Sequence, residues 1–153
     1  MKATMPGTAI VLCLVLLAGC VTAPSVEVPD GFAAYRDTRL PSTVSPDGVA
    51  FRLRRAANEP VQTLEFWAAA LERHLVETGY LLAAREEFVA PAGPGVSFEW
   101  LAPMGEEDWH YLVAIVVNGE DILIAEAAGP VARYREHRAS ILAAVATISA
   151  ADG

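Results

Sequence analysis

The sequence predicts an α+β fold: an antiparallel sheet of about five to six strands sandwiched by two helices, in the order β-β-α-β-β-β-β-α. Three observations carry this. Apolar residues recur at three- and four-residue spacing in two separate stretches, 61–75 and 131–148. Between them the chain alternates at strand period around an Asn118-Gly119 hairpin signal. Both faces of the strands so defined are apolar, and a sheet apolar on two sides needs a cover on each.

The chain has 153 residues, and its first 19 read as an export signal. Lys2 gives a positive start, and Ala9 to Leu17 is a continuous apolar run ending in small residues. That run is well short of the roughly 20 apolar residues that a bilayer-spanning helix needs. Leu17-Ala18-Gly19-Cys20, placed at its end, resembles the bacterial lipobox. The resemblance implies cleavage before Cys20 and a diacylglycerol thioether on its sulfur. The alternative is a plain signal cut after Ala18 or Gly19, leaving Cys20 a free thiol. Each buried acyl methylene contributes about 0.8 kcal/mol, so two or three chains anchor durably. Val rather than Asp at position 21 resembles the outer-membrane sorting pattern of such lipoproteins. The expected organisation is a signal over 1–19, a lipidated N-terminus and Pro/Ser/Val-rich tether over 20–30, and one domain over 31–150.

Cys13 leaves with the signal and Cys20 is alkylated, so the mature domain has no thiol for a disulfide, a metal or nucleophilic catalysis. Lys2, the only lysine, is also lost, and ten arginines then face nineteen Asp and Glu. So acidic a domain does not suit nucleic acid, whose binding rests on neutralising phosphates. Anionic headgroups repel it too, so the expected membrane contact is the lipid itself.

Within the domain, Phe32 to Tyr35 reads as a short first strand, and Val49 to Arg55 alternates apolar with charged residues as a second. Ser45-Pro46-Asp47-Gly48 between them is turn chemistry. Asn58 is the expected N-cap of the first helix, with Pro60 in its first turn. Val61, Leu64, Trp67, Ala68, Leu71 and Leu75 form its stripe, and Gly79 closes it. Four strands follow, near 80–89, 96–102, 109–117 and 121–127. If 102 lies opposite 109, Phe98 faces Val113 and Trp100 faces Tyr111; if 117 lies opposite 120, Val113 faces Ile124 and Tyr111 faces Glu126. One face then carries Val96, Phe98, Trp100, Trp109, Tyr111, Val113, Ile115, Ile122 and Ile124. The other carries Leu101, Leu112, Ala114, Val116, Leu123 and Ala125. Gly129-Pro130 opens the second helix, whose stripe is Val131, Tyr134, Ile141, Leu142, Val145 and Ile148.

This order, together with Phe51-Arg52-Leu53-Arg54 ahead of a helix carrying Leu64-Glu65-Phe66-Trp67, and Glu126-Ala127-Ala128-Gly129-Pro130 leading to Tyr134 and Arg138, resembles the PsbP-like superfamily, which includes DcrB-like bacterial lipoproteins. The resemblance spans about residues 30–150. It implies a non-enzymatic binding or assembly module and carries over no catalytic residue.

Glu126 is the most informative single residue. Alternation puts it on the aromatic face near Trp100 and Tyr111, where a carboxylate needs a partner; the Tyr111 hydroxyl and Arg138 are the candidates. A structural bridge is expected there, with a ligand site or a general acid as the sharper alternatives. His74 and His137 read as solvated helix residues, His110 as a covered histidine with one hydrogen bond, and Glu106-Glu107-Asp108 as an exposed hairpin tip without calcium-loop spacing. Ser42, Ser45, Ser97 and Ser140 lack a nucleophile elbow, and Pro91-Ala92-Gly93-Pro94-Gly95 offers a phosphate few backbone donors. No metal, cofactor or nucleic acid is expected. The functional expectation is a lipid-anchored envelope protein facing the periplasm, at the outer membrane, that binds a protein partner or serves envelope assembly. The alternative is a small-ligand-binding lipoprotein in which Trp67, Trp100, Trp109 and Tyr111 line a pocket.

Overall fold

The computed structural model describes residues 23–36, 38–105 and 107–150. Its elements are β1 (Ala33–Ala34), β2 (Ser42–Val44), β3 (Ala50–Ala57), α1 (Leu64–Glu77), β4 (Leu81–Ala90), β5 (Gly93–Met104), β6 (Glu107–Asn118), β7 (Asp121–Pro130) and α2 (Val131–Val145). The strands form one antiparallel sheet in the order β1-β2-β3-β7-β6-β5-β4. The architecture is the α+β sandwich expected, with seven strands because Ser42–Val44 pairs on both sides. Three residues are too few for alternation to register as a strand in the sequence.

The two predicted faces form the two cores except at Trp109 and Leu101, which are half-buried and stand outside both. Val96, Phe98, Trp100, Val113, Ile115 and Ile122 pack with Ala68 and Leu75 of α1. Phe51, Leu53, Leu112, Ala114, Val116, Leu123, Ala125 and Ala127 pack with Tyr134, Ile141, Ala144 and Val145 of α2. The β5–β6 register is as read, with Phe98 opposite Val113 and Trp100 opposite Tyr111. Between β6 and β7 the register differs by two residues: Asn118 pairs with Asp121, Val113 with Glu126 and Tyr111 with Ala128. The turn therefore centres on Gly119-Glu120, with Gly119 at φ 58°. A two-residue shift changes partners but keeps every side chain on its face, because the strand period is two.

Helix α1 starts five residues later than Asn58 implies. Thr63 is its N-cap, accepting from the Phe66 amide at 3.3 Å. Asn58 is buried and otherwise engaged: its Nδ2 donates to the carbonyls of Gln62 (3.1 Å) and Gly119 (2.9 Å). Its Oδ1 accepts from the Gln62 amide (3.0 Å) and Trp67 Nε1 (2.7 Å). Pro60 and Val61 consequently lie in a loop, and Val61 faces solvent. The helix ends as expected: Gly79 takes φ 93°, its amide bonds Val76 O and the Tyr80 amide bonds Leu75 O. At the second helix Gly129-Pro130 closes β7, with Pro130 as the N-cap of α2.

The segment expected as a free tether is in part docked. Ser25 forms an antiparallel bridge with Ser149, the Glu27 amide donates to Thr147 Oγ1 at 2.9 Å, and Val26 is buried in the α2-side core. Pro24 and Val26, alternate residues of this segment, are buried at the end of α2, which a solvated linker would leave open. Cys20 and the signal lie outside the described residues.

Candidate functional site

The α1-side face carries a four-residue polar network. Strand alternation sends Arg52 and Arg54 to that face, and β3 pairs with β7 so that Arg52 lies opposite Glu126. Arg54 donates to Glu126 through Nε (2.6 Å to Oε2) and NH2 (2.9 Å to Oε1); Arg52 Nε adds a bond of 2.7 Å to Oε2. The Tyr111 hydroxyl donates to Oε1 at 2.7 Å from the diagonal position on β6. The Glu126 side chain is 7% exposed, whereas those of Arg52 and Arg54 are 57% and 44% exposed. Burial, which raises the carboxyl pKa, is outweighed by the bonds from Arg54, Tyr111 and Arg52, and the pKa falls to about 2. Burial and then the carboxylate push the Tyr111 phenol upward. Two guanidinium groups on one carboxylate leave a net positive charge at the surface of an acidic protein.

Arg138 is not part of this network. It lies on α2, so the sheet separates it from Glu126. It bonds instead to Glu99, with NH2 and Nε both on the carboxylate, and reaches Glu86 at 3.1 Å. Glu99 is buried, and His110 Nε2 lies 2.9 Å from its Oε2. That contact is off the line of a well-directed hydrogen bond, and Nδ1 is buried without a partner among the described residues. The His110 ring stacks on Tyr134 at 4.1 Å, nearly parallel, and the Tyr134 hydroxyl is likewise buried with no hydrogen-bond partner among the described residues. At Glu99, too, burial is outweighed by His110 and Arg138, and the pKa falls to about 2. Both buried carboxylates are thus ionised and committed to cations.

Ser45, Asp47 and His137 meet at the β2–β3 turn, in an order that does not serve nucleophilic catalysis. The Ser45 hydroxyl donates to Asp47, and His137 Nε2 lies 2.9 Å from the same carboxylate oxygen. The base therefore faces the acid and not the hydroxyl; Arg133 donates to the Asp47 carbonyl and the Phe32 edge meets His137, which locks the turn onto α2. His74 is exposed in the last turn of α1, and Glu107 and Asp108 are exposed at the β5–β6 hairpin. Among the described residues, no three His, Cys, Asp or Glu side chains come together as a metal site.

The four aromatics expected to line a pocket are distributed along the sheet. Trp100 is fully buried and stacked on Phe98, Trp67 is pinned to Asn58 at one end, and Trp109 pairs with Pro130 at the other. Tyr111 sits between, 6.0 Å from the Tyr80 ring. A groove of about 310 Å³ between α1 and the edge strand β4 is lined by Leu64, Ala68, Phe88, Val89, Pro94 and Val96 among others, and by none of those four.

Arg52, Arg54 and Glu99 escape a reading of the sequence. Alternation in Phe51-Arg52-Leu53-Arg54 places both arginines on one face. Their meeting with Glu126 depends on β3 pairing with a strand more than 70 residues away, for which no local signal exists.

No family model and no curated protein sequence matches the chain. Solved structures do share its fold. The Pseudomonas aeruginosa protein PA94, of unknown function, superposes with a TM-score of 0.66 at 14% identity, over 86% of this chain and 99% of that one. LpqN, involved in cell envelope biogenesis of Mycobacterium tuberculosis, gives 0.61 at 11% identity over 86% and 87%. Cyanobacterial PsbP from Synechocystis sp. PCC 6803 gives 0.54 at 8% identity over 97% and 98%. The fold is therefore PsbP-like.

Proposed function

We propose that the chain is a lipoprotein of the bacterial envelope, anchored through Cys20 at the outer membrane and facing the periplasm, whose domain binds a protein partner and performs no chemistry. The surface that meets the partner is the β3–β7 side of the α1 face. The observation that carries this is the pair of half-exposed arginines held over buried Glu126. A carboxylate bonded three ways fixes the two side chains, so their outer nitrogens are presented with little further loss of rotamer freedom. The partner supplies an anionic group. Two observations agree with a binding role. Both buried acids are neutralised by arginine, and the Ser45 hydroxyl is turned away from His137. The fold shared with an envelope-biogenesis protein is in keeping with it.

The test is site-specific photo-crosslinking in intact cells from position 42, which lies opposite Arg52. One defined adduct that disappears in the Arg52→Ala/Arg54→Ala variant, at unchanged protein level, supports the reading. An adduct indifferent to that change, or substrate turnover by the purified domain, contradicts it.

A further inference from the structure

One end of the domain is tied together by a chain of hydrogen bonds from loop to loop. Ser25 bridges Ser149; the Ala92 amide donates to Ile148 O; Asn118 Nδ2 donates to Ala92 O; and Asn58 Nδ2 donates to Gly119 O while its Oδ1 holds Gln62 and Trp67. The entering chain, the C-terminus of α2, the β4–β5 turn, the β6–β7 turn and the loop before α1 thus form one rigid end. Around it stand exposed apolar side chains: Val61 and Val89, 73% and 80% exposed, with Phe66 and Val28.

Cys20 is five residues from Ser25. Even fully extended, those residues reach about 18 Å. We infer that this end, bearing Val61, Phe66 and Val89, rests on the surface of a zwitterionic bilayer, so that the domain stands on it with the β5–β6 hairpin directed away. This rests on the anchorage proposed above and adds an orientation to it. The docked segment 24–29 restricts the orientation: a free tether of eleven residues would let the domain tumble, whereas five keep this end nearest the headgroups. Strand β6 has 12 residues and at 3.4 Å each extends about 40 Å, so the far hairpin lies well clear of the lipid. Exposed Glu27, Glu59, Glu65 and Glu120 share the near end, which therefore selects neutral over anionic headgroups.

The mature domain has no thiol besides Cys20, so a single labelled cysteine reports cleanly. The full lipidated chain is prepared as Val61→Cys, Val89→Cys and Glu107→Cys, with the mass of the Cys20 peptide verified first, labelled with an environment-sensitive dye, and inserted in phosphatidylcholine vesicles carrying headgroup-quencher lipid. The expected result is several-fold quenching at positions 61 and 89, with little at 107. Exchange of part of the neutral lipid for phosphatidylglycerol at low salt should reduce the quenching at 61. Equal quenching at all three positions, or stronger quenching at 107, overturns the orientation while leaving the anchor standing. An increase at 61 with anionic lipid overturns the headgroup preference. A Cys20 without lipid overturns the anchorage and, with it, the orientation.

Discussion

Arg54 reaches Glu126 diagonally: it pairs in register with Ile124, yet its guanidinium makes two bonds to the carboxylate two residues farther along β7. The reach brings Arg54, Arg52 and Tyr111 onto one buried acid, and stability is expected to depend on it.

Replacing Glu126 with Gln keeps the shape and removes the charge that both arginines answer. Leaving two cations without their counter-ion is expected to lower unfolding stability by roughly 2–3 kcal/mol in urea melts, less than for a fully buried pair because the arginines are half in water. Arg54→Ala is expected to cost less, since Arg52 and Tyr111 still hold the carboxylate.

Acid should unfold the domain through the two buried carboxylates. Glu99 and Glu126 titrate near 2 in the fold and near 4.5 unfolded, so the native state binds fewer protons between these values. Their stabilisation is complete above about pH 4.5 and declines as pH falls toward 2. Denaturant midpoints measured from pH 6 to pH 2 should fall over that window, and Glu126→Gln should flatten the fall. A wild-type midpoint that does not move there contradicts the ion pairs.

Gly129 has no room for a side chain: a Cβ there would stand 2.8 Å from Val49 Cγ2 and 3.3 Å from its Cα. Backbone cannot swing aside, so Gly129→Ala should cost about 1–3 kcal/mol. At Gly95 the obstacle is the tip of the Phe88 ring, which can move, so Gly95→Ala should cost less.

Asn58→Ala removes four hydrogen bonds at once and leaves the Gly119 carbonyl and Trp67 Nε1 without their partner. A loss of about 2–3 kcal/mol is expected, with a red-shifted Trp67 emission as the near end loosens.

These residues also mark what the sequence discloses. Both core faces were legible because alternation and helical spacing are local properties. The helix boundary was misplaced because Asn58, a good cap by type, is bound to a turn 61 residues away; nothing near it announces that. Arg138 was a candidate partner for Glu126 because both follow the same strand-to-helix passage, but α2 covers the opposite face and delivers it to Glu99. The docked segment 24–29 reads as linker because it is short and punctuated by Pro24, Ser25 and Pro29, whereas its burial depends on the surface left open at the end of α2.

Attachment of this acidic domain to a membrane by its own N-terminus is decided by mass spectrometry of the N-terminal peptide from the native envelope protein. The expected peptide begins at residue 20, its cysteine carrying diacylglycerol. An unmodified thiol there, or a chain still retaining residues 1–19, contradicts it.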